Sequence, residues 1–268
     1  MTVRVLTSPL LSRYGFSHGF STRVGGSSPA PFDSLNLGMS SALPEDAPDE
    51  LRHHEPARIE RNTGLFLDAC GLRARRAVRV RQVHGSRAIG SGEALQAELA
   101  SGPLEPADAL VSDDPNVAIL VRCADCVPIL IASPGTGRVA AIHAGWRGLV
   151  AGIIESALAA LAPSAAERRS LIASIGPSIG VDSYEVGNEV AEQFVLADLG
   201  HCIRSGASRP HLDCHRAAQA LLLRAGVPAE RTDGEPICTY RNGGLFFSAR
   251  RDGAVSGRMA AAIGAIPV

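Results

Sequence analysis

The sequence predicts an α+β fold built on mixed β-sheet. Three observations carry that expectation. Strand-like and helix-like segments intermingle without the regular alternation of a doubly wound sheet. No segment repeats at a fixed period. Hydrophobic residues make up 46% and charged residues 20% of 268 positions, which is enough apolar material for a sizeable core. No stretch reads as an interdomain linker, so residues 1–268 are expected to form one domain.

Taken in order, residues 15–38 are polar, glycine-rich and loop-like. Residues 43–57 are charged and proline-rich and read as a surface insertion, leading into a helix over 57–71 that Gly71 ends. Val78 to His84 alternates as a strand, with Val78, Val80, Gln82 and His84 on one face. Asp108–Ser112 and Val117–Val121 suggest two more strands. Next comes a hairpin, in which Pro134, Gly135, Thr136 and Gly137 form the turn between apolar arms. That turn sets Ser133 opposite Arg138 and His143 opposite Pro128. Residues 149–161 have helical spacing, and 171–177 read as a short strand and turn. Helices are expected near 187–197 and 214–225, followed by a late strand pair from Cys238 to Ser248.

The bulk numbers exclude several classes of function. A net charge of −1 argues against a general nucleic-acid or membrane binder. No run approaches the roughly 20 apolar residues of a membrane span. The first residues lack the apolar core of a signal peptide, and six scattered cysteines do not form a disulfide framework. A cytoplasmic address is expected.

The hairpin concentrates the chemistry. Its register puts Cys126 and His143 on one face as diagonal neighbours, roughly 7–8 Å apart at the backbone. Three readings are open: a packed core pair, a Cys–His nucleophilic dyad, or a metal site. Zinc accepts thiolate and imidazole, and a catalytic zinc takes three protein ligands. His84, at the end of its strand, is the best third candidate. Cys123 and Cys126 also have redox-pair spacing, but no second such pair and no helix opening follow. Among the eight histidines there is no His-x-His pair, so a multicopper oxidase centre is poorly supported.

Arg147, in Gly-Trp-Arg-Gly, and Arg23, in Thr-Arg-Val-Gly-Gly, sit in glycine-rich turns. A planar guanidinium beside accessible backbone amides suits an anion. Asp125, Glu185 and the Arg250-Arg251-Asp252 turn are weaker candidates, with a solvated charge as the default.

Together these segments resemble the laccase-domain family described as purine nucleoside phosphorylases, the YfiH-like group. The matching pieces are Phe20-Ser-Thr-Arg-Val-Gly-Gly26, Ser34-Leu-Asn-Leu-Gly38, Gln82-Val-His-Gly85, Ala124-Asp-Cys-Val-Pro128, His143-Ala-Gly-Trp-Arg-Gly148, Ile175-Gly-Pro-Ser-Ile-Gly180, Tyr184-Glu-Val-Gly187 and Phe246-Phe-Ser-Ala-Arg-Arg-Asp-Gly253. They follow the family's order across nearly the whole chain.

The resemblance implies mixed sheets flanked by helices in a layered α/β/β/α arrangement. It implies a zinc ion on His84, Cys126 and His143, with Cu2+ the alternative under older polyphenol oxidase descriptions, and a metal-free Cys–His hydrolase as a further one. It implies phosphorolysis of adenosine, inosine, guanosine and S-methyl-5′-thioadenosine, and hydrolytic deamination of adenosine; a monomer is expected. Its partners would be purine nucleosides and phosphate, with no nucleic acid or membrane. Arg147 and Arg23 are then candidates for phosphate, and Asp125 for a proton carrier or a partner of the metal ligands. Trp146, Tyr184, Phe246 and Phe247 are the aromatic groups that could stack on a purine. Three departures stand out: the longer 43–57 insertion, Cys123 where a non-cysteine is usual, and Ala218 and Leu221 where Asn and Gln are usual.

Overall fold

The structure is a computed structural model that describes residues 2–38, 49–99 and 104–267. Its strands are β1 (Val5–Leu6), β2 (His18–Ser21), β3 (Arg76–Val78), β4 (Ala88–Gly90), β5 (Ala109–Ser112), β6 (Val117–Cys123), β7 (Val127–Ala132), β8 (Val139–Ala144), β9 (Ile172–Ile175), β10 (Ile203–Arg204), β11 (His211–Leu212), β12 (Thr232–Asp233) and β13 (Met259–Gly264). Helices are α1 (Pro9–Arg13), α2 (Asp49–Ala69), α3 (Ser91–Leu99), α4 (Trp146–Ala151), α5 (Ile153–Leu161), α6 (Ala165–Ser170), α7 (Asn188–Leu196), α8 (Cys214–Arg224) and α9 (Ala249–Asp252). Among the described residues no helix is long and apolar enough to cross a membrane.

Two mixed sheets dominate. One runs β1-β2-β13-β6-β3 and the other β12-β9-β7-β8-β5-β4. Their strands alternate with period two, and that alternation sorts the apolar residues into layers. Val117, Ile119, Val121, Ala261 and Ile263 of the first sheet meet Leu110, Leu130, Val139 and Ala141 of the second in a core between the sheets. The intervening residues face outwards. Ala118, Leu120, Ala260 and Ala262 pack under Phe66 and Leu67 of α2. Ala109, Val111, Ile129, Ile131 and Ile142 pack under α4, α5, α7 and α8. This is the expected α/β/β/α layering, and the mixed α+β class holds.

The hairpin has the expected register, with Pro128 opposite His143 and the Ser133 N–H donating to the Arg138 carbonyl at 2.9 Å. Helices α7 and α8 and strands β5, β6 and β9 also lie where expected. Ala218 and Leu221 of α8 are buried core residues.

Several expectations need correction. Residues 18–21, read as loop, form β2, because their backbone completes the sheet between β1 and β13. The expected helix over 57–71 begins earlier, at Asp49, and carries Pro56 inside it. Glu55, assigned to a surface insertion, is fully buried, its carboxylate accepting hydrogen bonds from Ser28 Oγ at 2.6 Å and Asn36 Nδ2 at 2.7 Å. Residues 43–48 of that insertion lie outside the described residues. The 149–161 helix is two helices, starting at Trp146 and broken at Gly152, whose φ of 87° is left-handed.

The strand expected over 78–84 stops at Val78. Val80 still enters the inter-sheet core, and the Gln82 side chain takes over the pairing. Its amide donates to the Arg122 carbonyl at 2.6 Å and accepts from the Arg122 N–H at 2.8 Å, as a backbone would. The late strand pair over 238–248 is absent. Carbonyls of Thr239, Tyr240 and Phe246 instead accept from the Arg251 guanidinium, which satisfies the backbone without a ladder. Strand β13, central in its sheet, was not anticipated from the sequence.

Among the described residues, four connections pass from one main sheet to the other, β3 to β4, β5 to β6, β6 to β7 and β12 to β13, and two of them matter for the site. Residues 79–87 join β3 to β4, and Ala124–Cys126 join β6 to β7.

Candidate metal centre

Those two crossings and β8 supply the candidate ligands. Cys126 follows Asp125, whose φ of 88° turns the chain between the sheets. His84, at φ 59°, is also left-handed. Its strain is held by one carboxylate. The fully buried Asp108 accepts from the Val83 N–H at 3.2 Å, the His84 N–H at 2.9 Å and the Gly85 N–H at 2.7 Å. The same carboxylate accepts from His143 Nδ1 at 2.8 Å, and the Asp108 carbonyl accepts the His143 N–H at 2.8 Å. A carboxylate only accepts, so Nδ1 carries the proton and Nε2 is left as a lone-pair donor.

The result is a three-atom donor set. One ligand atom each from His84, Cys126 and His143 lie within 4.8 Å of one another. The two rings meet edge to face, with centroids 4.8 Å apart and an interplanar angle of 80°. Of the three ligands, His143 is buried, Cys126 half-buried and His84 exposed. The structure thus brings the three candidate ligands together.

Electrostatics push the same way. Burial raises the Cys126 thiol, but the His143 charge and hydrogen bonds to His143 and His84 outweigh it and bring it below the usual thiol range. Burial lowers His143, yet the Cys126 thiolate and Asp108 lift it above its ordinary value. Burial opposes the Asp108 charge, and the hydrogen bonds from His143, Gly85 and Val83 more than compensate, holding the carboxyl below its usual range. Both shifts favour the charged form of the Cys126–His143 pair, and a metal bound there would displace a proton.

A testable consequence concerns pH. The thiolate is the reactive form, so a depressed thiol stays reactive to lower pH. In metal-free protein, iodoacetamide should alkylate Cys126 at a near-constant rate through neutral pH. His143→Asn should shift the midpoint upward, since His84 alone then opposes burial. Peptide mass mapping separates Cys126 from Cys238, which is also half-buried.

Gly145 sets the space around the donors. A Cβ there would sit 2.9 Å from His84 Cδ2 and 3.2 Å from Cys126 Sγ. Gly145→Ala is expected to spread the ligands and weaken metal binding about tenfold, measured by chelator competition.

The donors lie on a cavity of about 700 Å³, also lined by Arg81, Gln82, Arg122, Cys123, Ala124, Asp125, Tyr184, Ala249, Arg250 and Arg258. Asp125 lines it too, and its carboxylate already accepts three hydrogen bonds. Oδ1 accepts from Thr239 Oγ1 at 2.6 Å, and Oδ2 from Ser248 Oγ at 3.0 Å and the Arg250 N–H at 2.7 Å. Arg250 lies over the Tyr184 ring at 4.9 Å. Arg147 and Arg23 are outside the lining. Arg147 is exposed and stacks on Trp146 at 4.4 Å. Arg23 binds the Asp33 carbonyl at 2.7 Å and the Gly243 carbonyl at 3.0 Å, and lies over Phe247. Phe246 and Phe247 are core residues, and Cys123 is buried. Sequence reasoning missed Asp108, Arg81, Arg122 and Arg258. A lone aspartate opening an apolar strand was the available signal for Asp108.

Comparison with known proteins places this geometry. The family model described as "Multi-copper polyphenol oxidoreductase laccase" matches residues 17–266. The chain belongs to this family. Among its relatives, the purine nucleoside phosphorylase of Deinococcus radiodurans is 36% identical over 247 residues, spanning 92% of this chain and 88% of that protein. Purine nucleoside phosphorylase YfiH of Escherichia coli is 37% identical over 247 residues, covering 91% of each. The crystal structure of Bacillus licheniformis hypothetical protein YfiH superposes with a TM-score of 0.83 at 27% identity, over 98% of this chain and 99% of that one. The family's two-sheet fold is thus shared along nearly the whole chain.

Proposed function

We propose that this chain is a zinc-dependent purine nucleoside phosphorylase that also deaminates adenosine, acting as a cytoplasmic monomer. Its substrates on this reading are adenosine, inosine, guanosine and S-methyl-5′-thioadenosine, each cleaved to free base and ribose 1-phosphate or its methylthio counterpart. The observation that carries the reading is a three-donor cluster set in an arginine-lined cavity. The names of the relatives contribute the purine nucleoside and phosphorylase chemistry.

The donor chemistry fits the ion. Two imidazole nitrogens and a thiolate suit zinc and leave a fourth position free, and Asp108 already orients His143 for it. When bound, zinc supplies Lewis acidity at that position. The chain's own residues do the remainder. Asp108 keeps the proton on His143 Nδ1, and the cavity arginines offer positive charge to phosphate. Asp125 positions Arg250 by accepting its N–H. The phosphate role assigned on sequence to Arg147 and Arg23 passes to the cavity arginines. In phosphorolysis a phosphate oxygen forms a bond to C1′ as the C1′–N9 bond breaks. The electron pair leaves with the purine, which takes up a proton.

The test is incubation with adenosine and phosphate, followed by chromatography for adenine, ribose 1-phosphate and inosine. Folded, zinc-loaded protein that forms none of these ends the reading for adenosine. A second reading is favoured by the family's description and by a His-Cys-His set, which copper also accepts. Phenol-dependent oxygen uptake after copper loading, with no nucleoside cleavage, would establish it instead.

A further inference from the structure

Four arginines line the cavity that holds the donor cluster, while Asp125, the one acid in that lining apart from the donors among the described residues, already accepts three hydrogen bonds. Two of the four are set deep. Arg122 and Arg258 are both half-buried. The Arg122 guanidinium has no hydrogen-bond or ion-pair partner among the described residues. Glu60, which shares a neighbouring cavity with Arg122, is paired to Arg79 at 2.6 Å. Arg258 spends Nη1 on the Ser256 carbonyl at 2.7 Å and the Gly257 carbonyl at 3.0 Å, which leaves Nε and Nη2 free to donate.

These side chains are held in place. Gln82 clamps the Arg122 backbone on both its N–H and its carbonyl. Gly38 gives the Arg122 stem room, since a Cβ there would come within 2.8 Å of Cδ. Asn36 Oδ1 accepts the Arg258 N–H at 2.9 Å. Burial and the charges of Arg79 and Arg258 push Arg122 below its ordinary pKa, and burial does the same to Arg258. Glu60 near Arg122, and Asp125 and Cys126 near Arg258, offset that burial only in part, and half-buried guanidinium donors left unbonded are unfavourable unless an anion completes them. Their planar forks match the oxygens of a phosphate.

We propose that Arg122 and Arg258, with Arg81 at the rim, form the subsite for the orthophosphate co-substrate beside the His84–Cys126–His143 cluster. This rests on the phosphorolysis reading for its role, though not for its binding. The ligand is a phosphate dianion carrying no sugar or base, so that it approaches the cluster separately from the nucleoside.

The experiment is isothermal titration of orthophosphate into the zinc-loaded full-length protein, with adenosine 5′-monophosphate as a parallel ligand. One orthophosphate site per chain is expected. Arg122→Gln and Arg258→Gln should each weaken it about 10- to 100-fold, while Arg73→Gln, at an exposed pair with Asp68, leaves it unchanged. Arg258→Lys keeps the charge but loses the fork, and should fall between wild type and Arg258→Gln. Thermal unfolding identifies any variant that has lost its fold, and the remaining variant then decides. Orthophosphate binding that survives both Arg→Gln changes overturns the subsite. So does tight nucleotide binding with no orthophosphate binding, because the anion would then be part of the nucleoside substrate. Arginine-dependent phosphate binding without release of base from any purine nucleoside would sink the phosphorolysis reading and leave the subsite standing. Base release with an unchanged KM for phosphate in both variants would do the reverse.

Discussion

Cys126→Ser should produce a folded protein that no longer retains zinc. Wild type is expected to hold about one zinc per chain, and the variant close to none after dialysis. Serine nearly matches the volume of cysteine, so the half-buried position should tolerate it. What disappears is the depressed thiolate, which supplies one of three donors and the negative charge facing His143. Phosphorolysis should fall by about a thousandfold or more, as expected when several kcal/mol of Lewis-acid stabilisation are withdrawn. Elemental analysis decides between mechanisms. If wild type is active with no bound metal and the variant is inactive, Cys126 is a nucleophile and the metal reading fails.

Asp108→Asn should have the second largest effect, although Asp108 itself is not a metal ligand. The carboxylate accepts four hydrogen bonds, three from the His84 loop and one from His143 Nδ1. An amide can accept on one side alone. If its oxygen faces His143 and the His84 N–H, its NH₂ opposes the Val83 and Gly85 N–H groups, and the flipped orientation loses the others. Orphaning buried donors costs about 1–3 kcal/mol of stability, and zinc affinity should drop about 10- to 100-fold through misplacement of both histidines. Chelator competition measures the second effect, and urea unfolding of the metal-free protein the first. Unchanged zinc affinity would mean that Asp108 serves the fold without serving the metal.

What could be read from the sequence followed from local physics. Pro134, Gly135, Thr136 and Gly137 make a turn whose length dictates the register, and register dictates that His143 and Cys126 share a face. Strand β13 was opaque for the opposite reason. Its Met-Ala-Ala-Ala-Ile-Gly sequence favours helix by propensity, and it is extended because β2 and β6 pair with it on both sides. The same holds for β2, whose His18 and Ser21 look like loop residues. In the site, His84, Cys126 and His143 were recognisable from donor chemistry and from resemblance. Arg81, Arg122 and Arg258 were not, because each looks like any solvated arginine until the fold gathers three distant points of the chain. Asp108 was hidden for a related reason, since its four partners are backbone amides and one imidazole that no spacing rule connects.

The two donor-bearing connections among those that cross between the sheets have a mechanical consequence. His84 and Cys126 ride on those crossings, and His143 belongs to the second sheet. The spacing of the donors is thus gauged by how the sheets sit on one another, much as a caliper reads the gap between its jaws. Residues such as Ile119, Leu130 and Ala141, far from any substrate, act as the shims of that gauge. A volume change among them is transmitted to the donor triangle as a displacement. Conversely, an ion held by all three donors would tie both crossings to β8.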